Sequence, residues 1–350
     1  MTAPDPTAPA PPDPALAALL RSMPKAELHV HVEGTLEPEL IFELAARNRV
    51  PLAYPDVDAL RAAYAFTDLQ SFLDLYYAGA SVLRTADDFH AMAMAYYRRA
   101  AADRVVHAEV FFDPQTHTGR GVPIGAVIDG LWAAREEAAR TLGVSSALIL
   151  CFLRHLPEAE AFDTLEAALP WRDRFVGVGL DSSERGHPPE TFARVFARAG
   201  ELGLRRVAHA GEEGPAAYVA SALDVLRVER IDHGVRAIDD PALVRRLAAS
   251  RVPLTVCPLS NVKLRVYPDM AMHVLPRLLA EGLCVTVNSD DPAYFGGYVN
   301  ANYEALFAAH PSMGRAEARA LAANSFEASF ADASAKARWR AALDAAFAAG

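Results

Sequence analysis

The sequence predicts a single α/β barrel of the TIM type, in which eight parallel strands alternate with helices. Three features indicate it: eight short apolar runs, segments rich in Ala, Leu, Arg and Glu between most of them, and a His, Asp, Ser or Asn at the C-terminal end of nearly every run. Short continuous apolar runs are expected of buried parallel strands. A doubly wound sheet is the alternative, but barrels build their active sites at the C-terminal strand ends, so the polar residues favour the barrel.

The predicted strands follow one another at intervals that a helix fills, with one exception. They are residues 26–31, 105–112, 147–153, 175–180, 206–210, 230–233, 253–257 and 283–288. About 70 residues separate the first strand from the second, far more than one crossover connection needs. We therefore predict a helical insertion after the first strand.

A helix within this insertion is predicted to begin at a capping box formed by Thr67 and Gln70. Apolar side chains recur here at spacings of three and four residues: Phe66, Leu69, Phe72, Leu73 and Tyr76. This periodicity predicts a helix with one apolar face. The face either packs on the barrel or closes its mouth as a lid, and the sequence leaves both readings open.

Composition limits the kinds of partner. The 350 residues include 34 basic and 44 acidic side chains, a net charge of −10, which argues against nucleic acid or an anionic membrane as the main partner. The absence of any apolar stretch of about 18 residues argues against a membrane span. Three widely spaced cysteines fit a reducing cytoplasm. The Pro- and Ala-rich residues 1–20 predict a disordered leader, and residues 21–350 a single barrel domain.

A metal site is predicted at the C-terminal rim. His29 and His31 are two residues apart on the first strand, so both imidazoles point to the same face. Further polar side chains end the fifth, sixth and eighth strands: His209, His233, Asp290 and Asp291. Three neutral imidazoles and one carboxylate suit zinc with a water-derived ligand, while iron and manganese stay open. No lysine lies at the end of the fourth strand to bridge two metals, so one ion per chain is expected.

A second histidine–acid pair is predicted to have no part in this site. His107 and Glu109 match the His-x-Glu half of the zinc deaminases that act on cytosine, but their Pro-Cys-x-x-Cys partner is absent. We expect both residues below or beside the site.

Five segments together resemble the adenosine/adenine deaminase family of metal-dependent hydrolases: residues 24–34, 209–212, 231–234, 257–260 and 288–292. The segments run in the family's order, and the resemblance covers about residues 22–335. It implies a barrel with one zinc at its rim. The implied zinc ligands are His29, His31, His209 and Asp290. The resemblance also implies roles toward a purine: Glu212 protonates N1, His233 and Asp290 orient the attacking water, Asp291 holds N7, and the Ser182 backbone faces N3.

The adenine deaminase branch is the closer match. Glu33 stands where adenosine deaminases tend to carry an Asp that contacts the ribose, and the longer acid would occupy space that a ribose needs. Residues 111–118 and 181–186 also resemble the adenine branch. We therefore expect zinc-dependent deamination of adenine to hypoxanthine and ammonia in purine salvage, with a small purine as the partner.

Three other readings stay open. One is a deaminase of adenosine or of an N6-substituted adenine. Another is a non-catalytic purine-binding barrel, which would not need the general acid Glu212. A third is a cyclic amide hydrolase, which shares the His-x-His start but does not explain Glu212 and Asp291 together.

Overall fold

Eight parallel strands form one sheet whose order follows the chain from β1 to β8. The computed structural model describes residues 13–66 and 68–349. The strands are β1 Lys25–His31, β2 Val105–Phe112, β3 Ser145–Leu153, β4 Gly177–Asp181, β5 Arg205–Ala210, β6 Arg230–His233, β7 Leu254–Val256 and β8 Val285–Val287. Their ends differ from the predicted ones by at most two residues. The predicted barrel is therefore confirmed.

The barrel closes where β8 meets β1, through a parallel bridge between Val30 and Asp290. The His31 amide donates to the Asp290 carbonyl at 2.9 Å, and the Asp290 amide donates to the His29 carbonyl at 3.1 Å. These closing hydrogen bonds hold Asp290 beside both histidines of β1. The fold thus brings together residues that lie about 260 positions apart in the chain.

Helices surround the strands and fill the insertion. In chain order they are α1 Pro14–Ser22, α2 Pro38–Asn48, α3 Val57–Ala62, α4 Leu69–Ala80, α5 Ala86–Ala102, α6 Pro114–Thr118, α7 Ile124–Thr141, α8 Glu158–Ala168, α9 Ala193–Glu201, α10 Ala216–Ser221, α11 Pro241–Ser250, α12 Pro258–Lys263, α13 Leu275–Ala280, α14 Pro292–Phe295, α15 Val299–Ala309, α16 Arg315–Ala328 and α17 Ala333–Ala349. Four of them, α2 to α5, make up the predicted insertion between β1 and β2. Among the described residues, no helix combines the length and hydropathy that a membrane crossing requires.

The barrel interior has its own small apolar cluster, separate from the larger core between strands and helices. It consists of Phe111, Ile149, Cys151 and Val207. The Phe111 ring lies 5.1 Å from the His29 ring, between ring centres. This packing forms an apolar base under the histidines of the rim.

Two predicted boundaries need correction. The leader was expected to reach residue 20, but α1 begins at Pro14 and buries Leu19 and Leu20 against the core. Residues 1–12 of that leader lie outside the described residues. The helix of the insertion is capped one residue later than predicted, because Asp68 accepts from the Ser71 amide at 2.8 Å. Thr67 lies outside the described residues.

Candidate active site

Three histidines and one aspartate turn nitrogen and oxygen atoms toward a common point at the rim. His29 Nε2 lies 3.1 Å from Asp290 Oδ1, and His31 Nε2 lies 3.5 Å from the same oxygen. His31 Nε2 and His209 Nε2 are 3.1 Å apart. Within the described chain, the buried His29 Nε2 has no hydrogen-bond partner. Lone pairs that converge in a buried site fit a divalent cation and would repel one another without one.

His233 belongs to the same cluster by distance. His29, His209, His233 and Asp290 each offer one ligand atom within 4.8 Å of the others. His31 falls in a second group with Asp113 and Asp181. Distance alone therefore leaves His31 and His233 as competing ligands.

The three β1 and β5 histidines face oxygens on their outer side. These contacts join His29 Nδ1 to the Thr255 carbonyl at 3.1 Å, His31 Nδ1 to Asp181 Oδ2 at 3.6 Å, and His209 Nδ1 to Asp232 Oδ2 at 3.7 Å. Oxygens behind metal-binding histidines fix the ring orientation and leave Nε2 free for the metal. Each of these three histidines has an oxygen on the side away from Nε2, and for His29 the contact is a hydrogen bond.

Burial keeps the imidazoles of His209 and His233 neutral. It lowers the pKa of His209 well below its usual value, and the neighbouring histidines lower it further. Burial also lowers the pKa of His233 to about 3. Neutral imidazole is the form that binds a metal or takes part in hydrogen bonding as both donor and acceptor.

Glu212 lies in the loop after β5 with its carboxyl group directed at the cluster. Its Oε1 is 3.5 Å from His233 Nε2, and Oε1 has no hydrogen-bond partner in the part of the chain that is described. Burial raises the pKa of Glu212 well above its usual value, and the charges of Asp290 and Glu184 add to the shift. A buried acid that keeps its proton at neutral pH is suited to general acid catalysis.

Glu184 holds the loop that carries Glu212. Its carboxylate accepts hydrogen bonds from four successive amides, those of Gly211, Glu212, Glu213 and Gly214, at 2.7 to 3.1 Å. Four backbone donors around one carboxylate fix both the loop and the acid. Sequence reasoning missed this role, because a Glu in a loop carries no signal of what it binds.

Asp291 rests directly on Gly34 of the loop after β1. A Cβ atom at position 34 would lie 1.9 Å from Asp291 Oδ1, so only glycine leaves room for the carboxyl group. Burial raises the pKa of Asp291 well above its usual value, followed by the charge of Asp290. In its protonated form Asp291 is able to donate a hydrogen bond into the cavity.

Three predicted site residues adopt the left-handed backbone conformation that disfavours side chains other than glycine. The φ angles are 72° at Ser182, 62° at His233 and 64° at Asp290. Such strain of about 1–3 kcal/mol per residue persists where the surrounding structure enforces it, and it clusters at functional sites. Here it turns each side chain into the barrel mouth at the point where its strand ends.

One cavity collects most of the predicted site residues. Its walls are His31, Leu69, Phe72, Leu73, Tyr76, Tyr77, Asp113, Leu153, Asp181, Ser182, His209, Glu212, His233, Leu264, Asp290 and Asp291. His29 is fully buried directly beside it. Five of these walls belong to α4, so the apolar face of that helix closes the mouth of the barrel. Of the two readings that the sequence left open, the lid is confirmed.

Hydrogen bonds fasten the lid to the barrel. The Tyr77 hydroxyl lies 3.0 Å from the Ser182 hydroxyl, which is also 2.9 Å from His155 Nδ1. The Tyr76 hydroxyl donates to Asp113 at 3.2 Å. The polar edge of the cavity beside His31 is therefore built by the lid and the ends of β2 and β4 together.

Glu33 is buried at this edge in a closed set of hydrogen bonds. Its Oε1 accepts from His117 Nε2 at 2.9 Å and from the Asp113 amide at 3.2 Å. Arg120 donates to His117 Nδ1 at 2.8 Å, so the proton of His117 is on Nε2 and points to Glu33. The Tyr76 hydroxyl lies 3.4 Å from the other oxygen of Glu33. Each of these partners keeps Glu33 in place.

An eight-stranded barrel with histidines and an aspartate converging at its rim defines a metal-dependent hydrolase. A protein-family model described as adenosine deaminase matches residues 24–346. The chain belongs to the adenosine deaminase family.

Individual relatives agree with this assignment. An adenine deaminase of Cupriavidus necator is 70% identical over 332 residues, which cover 95% of this chain and 94% of the relative. The crystal structure of an adenine deaminase from Arthrobacter aurescens superposes with a TM-score of 0.92 at 52% identity and covers 94% of this chain and 100% of its own. A zinc-bound amidohydrolase from Burkholderia ambifaria has a TM-score of 0.89 at 29% identity, and the match covers 98% of this chain and 96% of the relative.

Proposed function

We propose that this protein hydrolyses adenine to hypoxanthine and ammonia, with one zinc ion per chain, as a cytoplasmic enzyme of purine salvage. The observation that carries the proposal is the meeting of three elements in one covered cavity: the histidine–aspartate cluster and the buried acids Glu212 and Asp291. Relatives at 64–70% identity bear the name adenine deaminase, which supports adenine as the substrate.

His29, His31, His209 and Asp290 would hold the metal. When zinc is bound, it lowers the pKa of a water toward about 7 and so supplies a nucleophile at neutral pH. The zinc bound to a relative of 29% identity supports this choice of metal.

The protein's own residues then direct the addition of water to C6. Attack at C6 places negative charge on N1, and Glu212 donates its proton there. General acid catalysis of this kind contributes on the order of 10² to 10⁴ in rate. His233 and Asp290 orient the attacking oxygen, and Asp291 donates a hydrogen bond to N7. The proton released by the attacking water passes to the exocyclic amine, the C6–N bond breaks and ammonia leaves. The hydroxyl now on C6 returns its proton to the Glu212 carboxylate, and hypoxanthine remains.

The site supports a free base over a nucleoside. About 40 Å³ of the cavity is open to the centre of a water molecule, and the lid helix covers it. Glu33 lies where the family's nucleoside deaminases place a ribose-contacting Asp, and its hydrogen bonds to His117 and the Asp113 amide hold it there. A ribose would have to displace this buried acid from its partners, which costs about 1–3 kcal/mol or more.

Product formation from three substrates tests the proposal. Zinc-loaded protein is incubated with adenine, adenosine and N6-methyladenine, and ammonia release is followed together with hypoxanthine or inosine. We expect kcat/KM for adenine to exceed that for the other two by at least about 100-fold. Preferred release of inosine would transfer the assignment to a nucleoside deaminase. Tight adenine binding without any product would indicate a purine-binding protein.

A further inference from the structure

A chain of hydrogen bonds behind His233 begins at a backbone amide and ends on the His233 ring. The Leu275 amide at the start of α13 donates to His273 Nδ1 at 3.1 Å. His273 Nε2 lies 3.2 Å from Asn261 Oδ1, and Asn261 Nδ2 lies 3.4 Å from His233 Nδ1. His233, Asn261 and His273 are all buried. The function proposed above gives no role to Asn261 or His273.

The backbone amide at one end fixes which atom donates and which accepts in every hydrogen bond of this series. A backbone amide only donates, so His273 Nδ1 accepts and carries no proton. The single proton of His273 is then on Nε2 and is donated to the carbonyl oxygen of Asn261. The amide group of Asn261 therefore faces His233 and donates to Nδ1. His233 Nδ1 carries no proton, so the proton of its neutral ring is on Nε2.

The Nε2 proton points into the reaction site. His233 Nε2 lies 3.5 Å from Glu212 Oε1 and 3.7 Å from Asp290 Oδ2, too far for a direct hydrogen bond to either. A third polar atom placed between these acids would be within its reach. We propose that Asn261 and His273 are positioning residues that fix His233 as a hydrogen-bond donor to the oxygen attacking C6.

This assignment decides between the two competing ligand sets. A nitrogen that carries a proton has no lone pair for a metal, so His233 Nε2 is not a ligand. His31 Nε2 is not fixed in this way: it faces His209 Nε2 at 3.1 Å and Asp290 Oδ1 at 3.5 Å, which are themselves atoms of the cluster. The metal is then held by His29, His31, His209 and Asp290. The same tautomer also makes His233 unable to act as a general base through Nε2.

The direct test is the ¹⁵N NMR spectrum of protein labelled at histidine, with His233→Gln used to assign its signals. We expect His233 Nε2 to be protonated and Nδ1 unprotonated, in the zinc-free and zinc-loaded forms. A wild-type spectrum with the proton on Nδ1 would overturn the proposal. The spectrum requires no turnover, so it is independent of the proposed adenine deamination on which the kinetic tests rest.

The variant Asn261→Asp reverses the direction of the hydrogen bond between residue 261 and His233 while it keeps the shape of the side chain. A carboxylate oxygen in place of Asn261 Nδ2 accepts from His233, which moves the proton to Nδ1 and leaves a lone pair on Nε2. We expect kcat for adenine to fall on the order of 10²-fold, as after loss of one oxyanion donor, while bound zinc stays at one per chain. A variant that keeps wild-type kcat with Nε2 unprotonated would show that His233 works as a base, and would contradict the proposal.

Three further variants separate positioning from mere packing. His273→Gln keeps a donor near Nε2 and should restore most of the activity that His273→Leu loses, with a matching return of the His233 spectrum. Ser260→Ala is the matched control, because Ser260 is buried on the same helix without a hydrogen bond to His233 in the described structure. It should leave both the spectrum and kcat unchanged. Equal losses in all three variants would indicate a packing effect and contradict the proposal.

Discussion

The two ends of the barrel bury charged groups to a similar degree but partner them differently. On the floor, Glu109 forms an ion pair with Arg230 and accepts from the Phe330 amide. Lys25 at the start of β1 donates to the Asp103 carbonyl at 2.8 Å and to Asn300 Oδ1 at 2.9 Å. At the rim, several buried atoms have no hydrogen-bond partner among the described residues: His29 Nε2, Asp113 Oδ1, Asp181 Oδ1 and Oδ2, Glu212 Oε1 and Asp291 Oδ1.

This difference separates groups that support the fold from groups that await a ligand. Leaving a buried polar atom unpaired costs about 1–3 kcal/mol, so such atoms persist where something outside the chain completes them. His107 and Glu109 lie at the floor, in agreement with the prediction that they stand apart from the site. We therefore expect substitutions at the rim to remove activity and substitutions at the floor to remove stability.

Glu212→Gln should have the largest effect. The variant keeps the shape of the side chain but has no proton to give to N1, so kcat for adenine should fall by about 10² to 10⁴. Zinc content, measured by atomic absorption, should stay at the wild-type value. Glu213→Gln is the control, because that neighbouring acid pairs with the exposed Arg185 at 3.1 Å and should keep its activity. Near-wild-type kcat in Glu212→Gln would remove Glu212 from the mechanism.

Glu109→Gln should show the opposite pattern. It removes the nearest counter-ion of the buried Arg230 guanidinium and leaves only Asp232 Oδ1 at 3.6 Å, so we expect a loss of up to about 3–5 kcal/mol of unfolding free energy, measured by urea denaturation. Activity per folded molecule should be retained. The exposed pair of Arg205 and Glu229 serves as the control, since Glu229→Gln should cost less than about 1 kcal/mol. Equal costs in the two variants would contradict the role given to the floor pair.

The ion pair of Glu109 and Arg230 should also affect how the stability of the fold depends on acidic pH. Burial raises the pKa of Glu109, but the charge of Arg230 outweighs it and leaves the pKa at about 2. A carboxyl group with a lowered folded-state pKa stabilises the fold above its unfolded pKa of about 4.3, and this contribution is lost as pH falls through 2. Glu109→Gln should lack that loss between pH 4 and pH 2, measured by thermal melting.

Glu184→Gln should have an intermediate effect at the rim. Glu184 now accepts hydrogen bonds from four backbone amides. In the variant, the NH2 group of glutamine would face at least one of these donors and could not accept from it, so the loop carrying Glu212 should loosen. We expect kcat to fall about tenfold and the unfolding free energy to fall by about 1–3 kcal/mol, with zinc retained. Loss of zinc with unchanged kcat per zinc-loaded chain would show that the loop supports the metal and not the acid.

Lys25→Met should have the smallest effect on activity, and its effect on stability should appear in the pH dependence. Burial lowers the pKa of Lys25 to about 7. Between that value and the unfolded pKa of about 10.4, the unfolded chain binds more protons, so wild-type stability rises with pH by up to about 1.4 kcal/mol per unit. The variant should lose this rise in urea denaturation between pH 7 and pH 10. The same slope in both proteins would show that a group other than Lys25 causes this pH dependence.

The sequence was sufficient to predict the parts that depend on local pattern. Apolar runs located all eight strands, and strand-end residues such as His209, His233 and Asp290 all lie at the rim. The helix that forms the lid followed from helical spacing, although its cap was predicted one residue early, since Asp68 and Ser71 form the capping box.

What the sequence did not reveal depends on contacts between distant segments. Glu184 is an ordinary loop acid until four amides of the next loop surround it. His273 and Asn261 matter only because α13 places a backbone donor behind them. The left-handed backbone at Ser182, His233 and Asp290 has no marker in residue type, since glycine is the usual occupant of that conformation.

The most direct test of adenine deamination at this site is a crystal structure of zinc-loaded Glu212→Gln with adenine bound. We expect one zinc held by His29, His31, His209 and Asp290, with C6 of adenine facing it. N1 should lie beside residue 212 and N7 beside Asp291, and N9 should face the protein-enclosed edge formed by Glu33 and the lid. A metal site without zinc, or a base whose N9 opens to solvent with room for a sugar, would contradict it.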